Sequence, residues 1–215
     1  MTTFPRTCPR APWLFTLTGN DVLINPFTRI YNANKLGKKN KDKLLIKIDK
    51  TFKAARLAYT EGQEFTQVLF CHLNLTQNQF PLVQFRDPWG RNFSLPIDRY
   101  RFVIQRKVTP FKEALLAAKE HPEEMHHLID SFLILIQERS AKGIHNADPN
   151  LGPNFGFLDG KAVEIDFGNY RKIAYDPKSS RQEIDNLTTR LNHWLQINAP
   201  EYIPHLQAQR AESEN

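Results

Sequence analysis

Apolar positions recur along the chain at two spacings, and these divide it into strands and helices. Leu44, Ile46 and Ile48 alternate with Leu45 and Lys47, the two-residue period of a strand. A shorter alternating stretch, Leu14 to Thr18, precedes the turn formers Gly19-Asn20-Asp21, and residues 22–40 are polar with no firm element. From about Phe52 to Leu73 the spacing reads as helical. Phe65, Val68/Leu69 and His72/Leu73 repeat at three- and four-residue intervals, and Gly62 is a point where the helix bends or divides. LVQF (82–85) and NFSLPI (92–97) flank Asp87-Pro88-Trp89-Gly90, whose proline and glycine fit a type I turn. RYRFVIQRKV (99–108) predicts a further strand.

The second half alternates helices with a hairpin. Thr109-Pro110 suits a helix start, and PFKEALLAAKE ends near His121-Pro122. The next helix, from about Glu123 to Ala141, carries Leu128/Ile129, Phe132/Leu133 and Leu135/Ile136 on one face, with Gly143 where a C-terminal cap belongs. An irregular stretch, 145–153, leads into FGFL (155–158), a turn at Asp159-Gly160 and KAVEID (161–166), which together predict a hairpin. Ser180 and Glu183 form a capping box ahead of a helix striped by Ile184, Leu187, Leu191 and Trp194/Leu195. Beyond Gln207 the chain is polar and is expected to fray.

Composition narrows the class. With 215 residues and 15 phenylalanines the chain can build a packed core, as one domain or as two small lobes around a cleft. No apolar run is long enough to span a bilayer, and residues 1–15 contain no continuous apolar segment of a secretory signal. Cys8 and Cys71 are too few for a disulfide framework, which favours a cytoplasmic setting and leaves signal-independent export open. The net charge of +6 is partly local, with five lysines between Lys35 and Lys43. No aromatic residue interleaves them, so a solvated segment is favoured over a nucleic-acid surface. His121, His126 and His127 beside Glu123 and Glu124 do not match H-E-x-x-H and are read as a polar helix start rather than a metal site. Cys71 lies in an apolar run and reads as a small hydrophobe.

Residues 143–170 carry the candidate chemistry. A helix delivers the chain to a polar loop, and a hairpin leaves it and ends in Asp166-Phe167-Gly168. A carboxylate at the end of a buried strand, followed by glycine, can enter a cleft and hold a divalent ion, and Asn154 can add a neutral oxygen. Hard cations such as Mg2+ take this oxygen set and share their shell with phosphate and water.

The passage resembles the catalytic core of the protein-kinase-like superfamily, especially its compact bacterial and small-molecule branches. There an H-x-D-x-x-x-x-N loop precedes a hairpin ending in I-D-F-G; here Ile165-Asp166-Phe167-Gly168 match the hairpin end, and His145, Asp148 and Asn154 match the loop by residue type. The resemblance implies that Asp148 orients an attacking hydroxyl, while Asn154 and Asp166 hold Mg2+. It further implies that Lys47, in the predicted third strand, contacts nucleotide phosphates and pairs with a helix glutamate. Glu61 and Glu64 are both candidates, with a slight preference for Glu64. Backbone groups near Val103–Lys107, including Val103 and Gln105, would face an adenine, on an edge strand leading into the hinge.

The family pattern is not met throughout. His145 and Asp148 stand one residue too far apart, as do Asp148 and Asn154; there is no G-x-G-x-x-G, and no A-P-E follows Asp166. The expected fold is therefore α+β: a two-lobed protein-kinase-like fold with a reduced helical C-terminal lobe. Residues 1–106 would form the N-lobe of small antiparallel sheet plus helix, and 107–215 the C-lobe. The expected activity is ATP- and Mg2+-dependent phosphoryl transfer to a small-molecule or atypical acceptor. The alternative is a pseudokinase, a scaffold that binds a protein partner without transferring phosphate.

Overall fold

The computed structural model describes residues 15–16, 22–26, 38–86, 89–148 and 150–212. The lysine run Lys35–Lys43 lies partly outside them, as do Cys8, Asp87 and Pro88 of the expected turn. The architecture mixes helices with small antiparallel sheets. Strands β1 (Phe15–Thr16), β2 (Val22–Pro26), β3 (Val68–His72) and β6 (Phe102–Arg106) make a four-stranded sheet in the order β1-β2-β6-β3. β4 (Leu82–Arg86) and β5 (Asn92–Pro96) pair as the expected hairpin, with Phe85 opposite Phe93.

Helix α1 (Lys38–Thr60) occupies the segment that alternation marks as a strand. No Gly or Pro interrupts residues 38–61, and Lys, Leu and Ala are strong helix formers. Ala54, Ala55, Leu57 and Ala58 are buried at helical spacing, whereas Ile46 and Ile48 are exposed. The packed stripe therefore sets the conformation, and a five-residue alternation is too short to override it. The second half of the expected helix 52–73 is also corrected. After α2 (Gln63–Thr66), Gln67 turns left-handed at φ 53°, and Val68–His72 runs as strand β3 beside β6. β-branched and aromatic residues suit a pleated surface, and here the sheet partner decides.

Thr109-Pro110 is strand β7, bonded to β9, and gives no side-chain cap to helix α3 (Phe111–Ala117). Helix α4 (Pro122–Ala141) matches its expected span, and its buried stripe from Met125 to Ile136 is central to the core. Past Gly143, at φ +69°, come β8 (Ile144–Asn146), the one-turn helix α5 (Leu151–Asn154), and the hairpin β9 (Phe155–Leu158) and β10 (Lys161–Glu164). β11 (Tyr170–Lys172) pairs back onto β8, with Tyr170 opposite Asn146. Phe111 packs edge-to-face on Phe132 at 4.8 Å and stacks on Phe157 at 5.2 Å, which clamps the hairpin to α3 and α4.

Helix α6 (Pro177–Asn198) starts three residues before the expected box. Asp176 caps it, accepting from Lys178 N at 3.2 Å and Ser179 N at 3.1 Å. Glu183 is thus free of capping and turns into the core. The tail does not fray at Gln207, because α7 (Ile203–Glu212) continues and buries Leu206. No helix among the described residues is long and apolar enough to cross a membrane.

Candidate functional site

The site is built on two short sheets. β8 and β11 hold the two ends of the loop region, and β9–β10 returns the chain so that residues 165–166 lie against Asn154. Asn154 O accepts from Ile165 N at 2.6 Å and from Asp166 N at 3.4 Å. The buried Asn154 side chain donates from Nδ2 to Asp148 O at 2.8 Å, which leaves Oδ1 as its remaining oxygen acceptor. Asn146 Oδ1 accepts from Asp148 N at 2.9 Å, and Asn146 Nδ2 donates to Asp166 O at 3.2 Å. The Asp148, Asn154 and Asp166 segments are therefore tied into one unit, with Asn146 as the tie from the opposite side. Pro153, inside the one-turn helix α5, fixes the backbone just before Asn154.

Asp166 is exposed, and its Oδ1 accepts from Gly168 N at 3.0 Å across a tight turn. One carboxylate oxygen is anchored, and the outer face of the group is open. An exposed carboxylate and a buried amide oxygen, carried on segments bonded through their backbones, are oxygen types that hard divalent cations take. Among the described residues no group of three or more His, Cys, Asp or Glu side chains has the arrangement of a self-sufficient metal site.

Beneath this unit lies a buried charged network that the sequence reading missed. Arg139, fully buried on α4, pairs through Nε with Glu164 Oε2 at 3.0 Å, donates from NH2 to Glu183, and donates from NH1 to Ile144 O at 2.8 Å. Glu164 also accepts from Tyr170 OH at 2.6 Å and from Asn146 Nδ2. Glu183 reaches His145 Nδ1 at 2.9 Å. Burial opposes the Arg139 charge, but Glu164, Tyr170 and Glu183 outweigh it and hold the guanidinium above its ordinary value. Burial pushes the Glu164 carboxyl up, against the pull of Arg139, Tyr170 and Asn146. Burial likewise holds the Tyr170 phenol well above its ordinary value. The network fixes β8, β10 and β11 around the loop. An Arg and a Glu on predicted helices, and a Glu two residues before Asp166, are its only sequence signal.

The other expected residues lie elsewhere. Lys47 is an exposed residue of α1, not of a strand, and β2, the strand of the sheet that precedes that helix, reads VLINP without a lysine. Glu64 forms an ion pair with Lys142, and Glu61 pairs with Lys172 at 2.6 Å, so neither meets Lys47. β6 is an inner strand and not an edge: Val103 faces Asn25 on one side and Cys71 on the other, and Gln105 faces Leu23 and Val68. The buried Gln105 side chain donates to Thr66 O at 2.6 Å and Glu164 O at 3.1 Å, which ties the sheet to β10. Val103 belongs to the apolar core.

Gly156 explains how β9 approaches β7 so closely, since a Cβ there would lie 2.5 Å from Val108 Cγ2 and 2.6 Å from Thr109 O. A cavity of about 140 Å³ lined by Glu64, Phe65, His127, Asp130, Glu138 and Lys161 among others includes Glu64 but none of Asp148, Asn154 and Asp166. Burial pushes the Cys71 thiol up to about 11, which suits a packing residue and not a nucleophile.

No protein-family model matches the chain, and no curated protein matches it. Among solved structures the chain is similar to one titled "ROP18 kinase domain in complex with AMP-PNP and sucrose", at 17% identity and a TM-score of 0.35. The match covers 70% of this chain and 44% of that one, so this chain spans less than half of that chain's length.

Proposed function

We propose that the chain is a kinase-like domain that binds ATP with Mg2+ and transfers phosphate to a small-molecule or atypical acceptor. Residues 1–106 act as its N-lobe and 107–215 as its reduced C-lobe. The observation that carries this reading is the hydrogen-bonded unit of Asp148, Asn154 and Asp166, placed between paired strands and at the end of a hairpin. Asp166 and Asn154 Oδ1 would hold the metal, which when bound supplies positive charge to the phosphate oxygens. Asp148 orients the acceptor hydroxyl and takes its proton, while its own backbone is held by Asn146 and Asn154. The buried Arg139 network keeps the loop from relaxing, and positioning is most of what a protein contributes to this chemistry. Only residues 173–176 separate β11 from α6, which leaves little chain for docking a peptide and favours a small acceptor.

A second reading has specific support. β2 holds no lysine, and Glu61 and Glu64 are committed to Lys172 and Lys142, which favours a pseudokinase that uses the same framework to bind a partner. Calorimetric titration with ATP, with and without Mg2+, on wild type and Asp166→Ala tests the first reading. Saturable Mg2+-dependent binding that the substitution abolishes is expected. No binding at millimolar ATP overturns it in favour of the partner-binding scaffold.

A further inference from the structure

Resting on the nucleotide-binding reading, we propose that Lys50 of helix α1 is the phosphate-contacting cation of the site, in place of a strand lysine.

The chain's geometry singles out this residue. Residues 46–49 of α1 are exposed, and Lys50 is the first described side chain of the helix to become half-buried, where α1 reaches β11. Its Nζ donates to Asn169 Oδ1 at 2.6 Å. Asn169 follows Gly168 directly, so the ammonium sits on the same turn that Asp166 anchors through Gly168 N. Among the described residues Lys50 has this neutral partner and no carboxylate. The other α1 and neighbouring lysines differ. Lys53 pairs with Asp49 at 2.8 Å, Lys142 with Glu64 and Lys172 with Glu61, while Lys47 is exposed one helical turn farther from the core.

An ammonium carries three donors, and one amide oxygen satisfies one of them. Lys50 is half-buried on the turn whose exposed carboxylate it does not pair with, so one bound group can join the two charges. A polyphosphate bridged to Asp166 through a divalent cation has the required chemistry: anionic oxygens for the lysine, and metal-bound oxygens for the carboxylate. The lysine then comes from the helix that a strand lysine would otherwise address, which also explains why neither Glu61 nor Glu64 is kept free to receive one.

The test is titration of full-length wild type, Lys50→Gln, Lys50→Arg and Lys47→Gln with ATP in excess Mg2+, with adenosine as a second probe and thermal melting as the check on folding. Loss of one charged phosphate contact weakens ATP binding by about tenfold or more. The expected pattern is that loss in Lys50→Gln, substantial recovery in Lys50→Arg, wild-type affinity in Lys47→Gln, and adenosine binding unchanged throughout. Wild-type ATP affinity in Lys50→Gln, or a loss that falls on Lys47→Gln instead, overturns the assignment while nucleotide binding stands. Absence of ATP binding in the wild type overturns the nucleotide reading and this inference with it.

Discussion

Replacing Arg139 with methionine tests whether the buried network supports the loop. The substitution keeps most of the apolar stem but removes the cation from between two buried carboxylates. Three interactions go: the 3.0 Å pair with Glu164, the bond to Glu183, and the 2.8 Å bond that holds Ile144 O at the start of β8. Removing one partner of a buried ion pair costs about 3–5 kcal/mol, because the remaining charge is left uncompensated. The surroundings soften this cost: Glu164 keeps Tyr170 and Asn146 as donors, and Glu183 keeps His145. The lower part of that range, about 3–4 kcal/mol, is expected, which for a domain of this size lowers Tm by about 6–16 °C. The deficit also depends on pH. Burial already raises the Glu164 carboxyl above its ordinary 4.5, and without Arg139 it rises further. The folded variant then binds more protons than the unfolded chain, so its stability falls as pH rises from about 4.5 through the folded value. Urea unfolding at pH 5 and pH 8 measures both effects. A deficit below about 1 kcal/mol, or one no larger at pH 8 than at pH 5, refutes the network as the support of the site.

Two further outcomes follow from the same geometry. Gly143→Ala places a Cβ 2.4 Å from Ile173 O at φ +69°, so a loss of at least about 2 kcal/mol is expected. Gly62→Ala, with its nearest neighbours at 3.4 Å, serves as the comparison in thermal melts, and equal losses in the two would remove the argument. In the satellite cluster under β6, burial holds His72 below its ordinary 6.5, and the Thr76 hydroxyl with the amides of Phe80 and Gln79 holds Asp98 below 3.8. In both cases the unfolded chain takes up protons first on acidification. The cluster's contribution to stability is therefore full above about pH 6.5, declines as His72 is forced to charge, and declines again below about pH 3.8. The first step should be absent in His72→Gln, and its persistence there would assign it to another group.

How far the sequence reading reached depends on the range of the interaction each element needs. Helix α4 and the hairpins β4–β5 and β9–β10 are specified within a few residues of themselves, by a stripe, a turn and an alternation, and they appear where expected. The segments of Asp148, Asn154 and Asp166 come together for a similar reason: their separation in sequence is spanned by one loop and one hairpin. The errors fall where a distant partner decides. VLFCH has a spacing that a helix accepts, and it becomes a strand because β6, some thirty residues on, offers a ladder. LLIKI has the alternation of a strand, yet no sheet edge receives it, and the alanine stripe that follows carries it into α1. That single exchange moves Lys47 from a sheet to a solvent-facing helix turn and brings Lys50 to Asn169. The same logic hides the network: Glu183 sits three residues after a serine in a pattern that local rules assign to capping, but Asp176 already satisfies the helix end. A carboxylate released from capping and carried on a buried helix face must find a cation or be neutralised. Arg139, on the facing helix, supplies that cation, and with it the strand that leads into the candidate site is held in place.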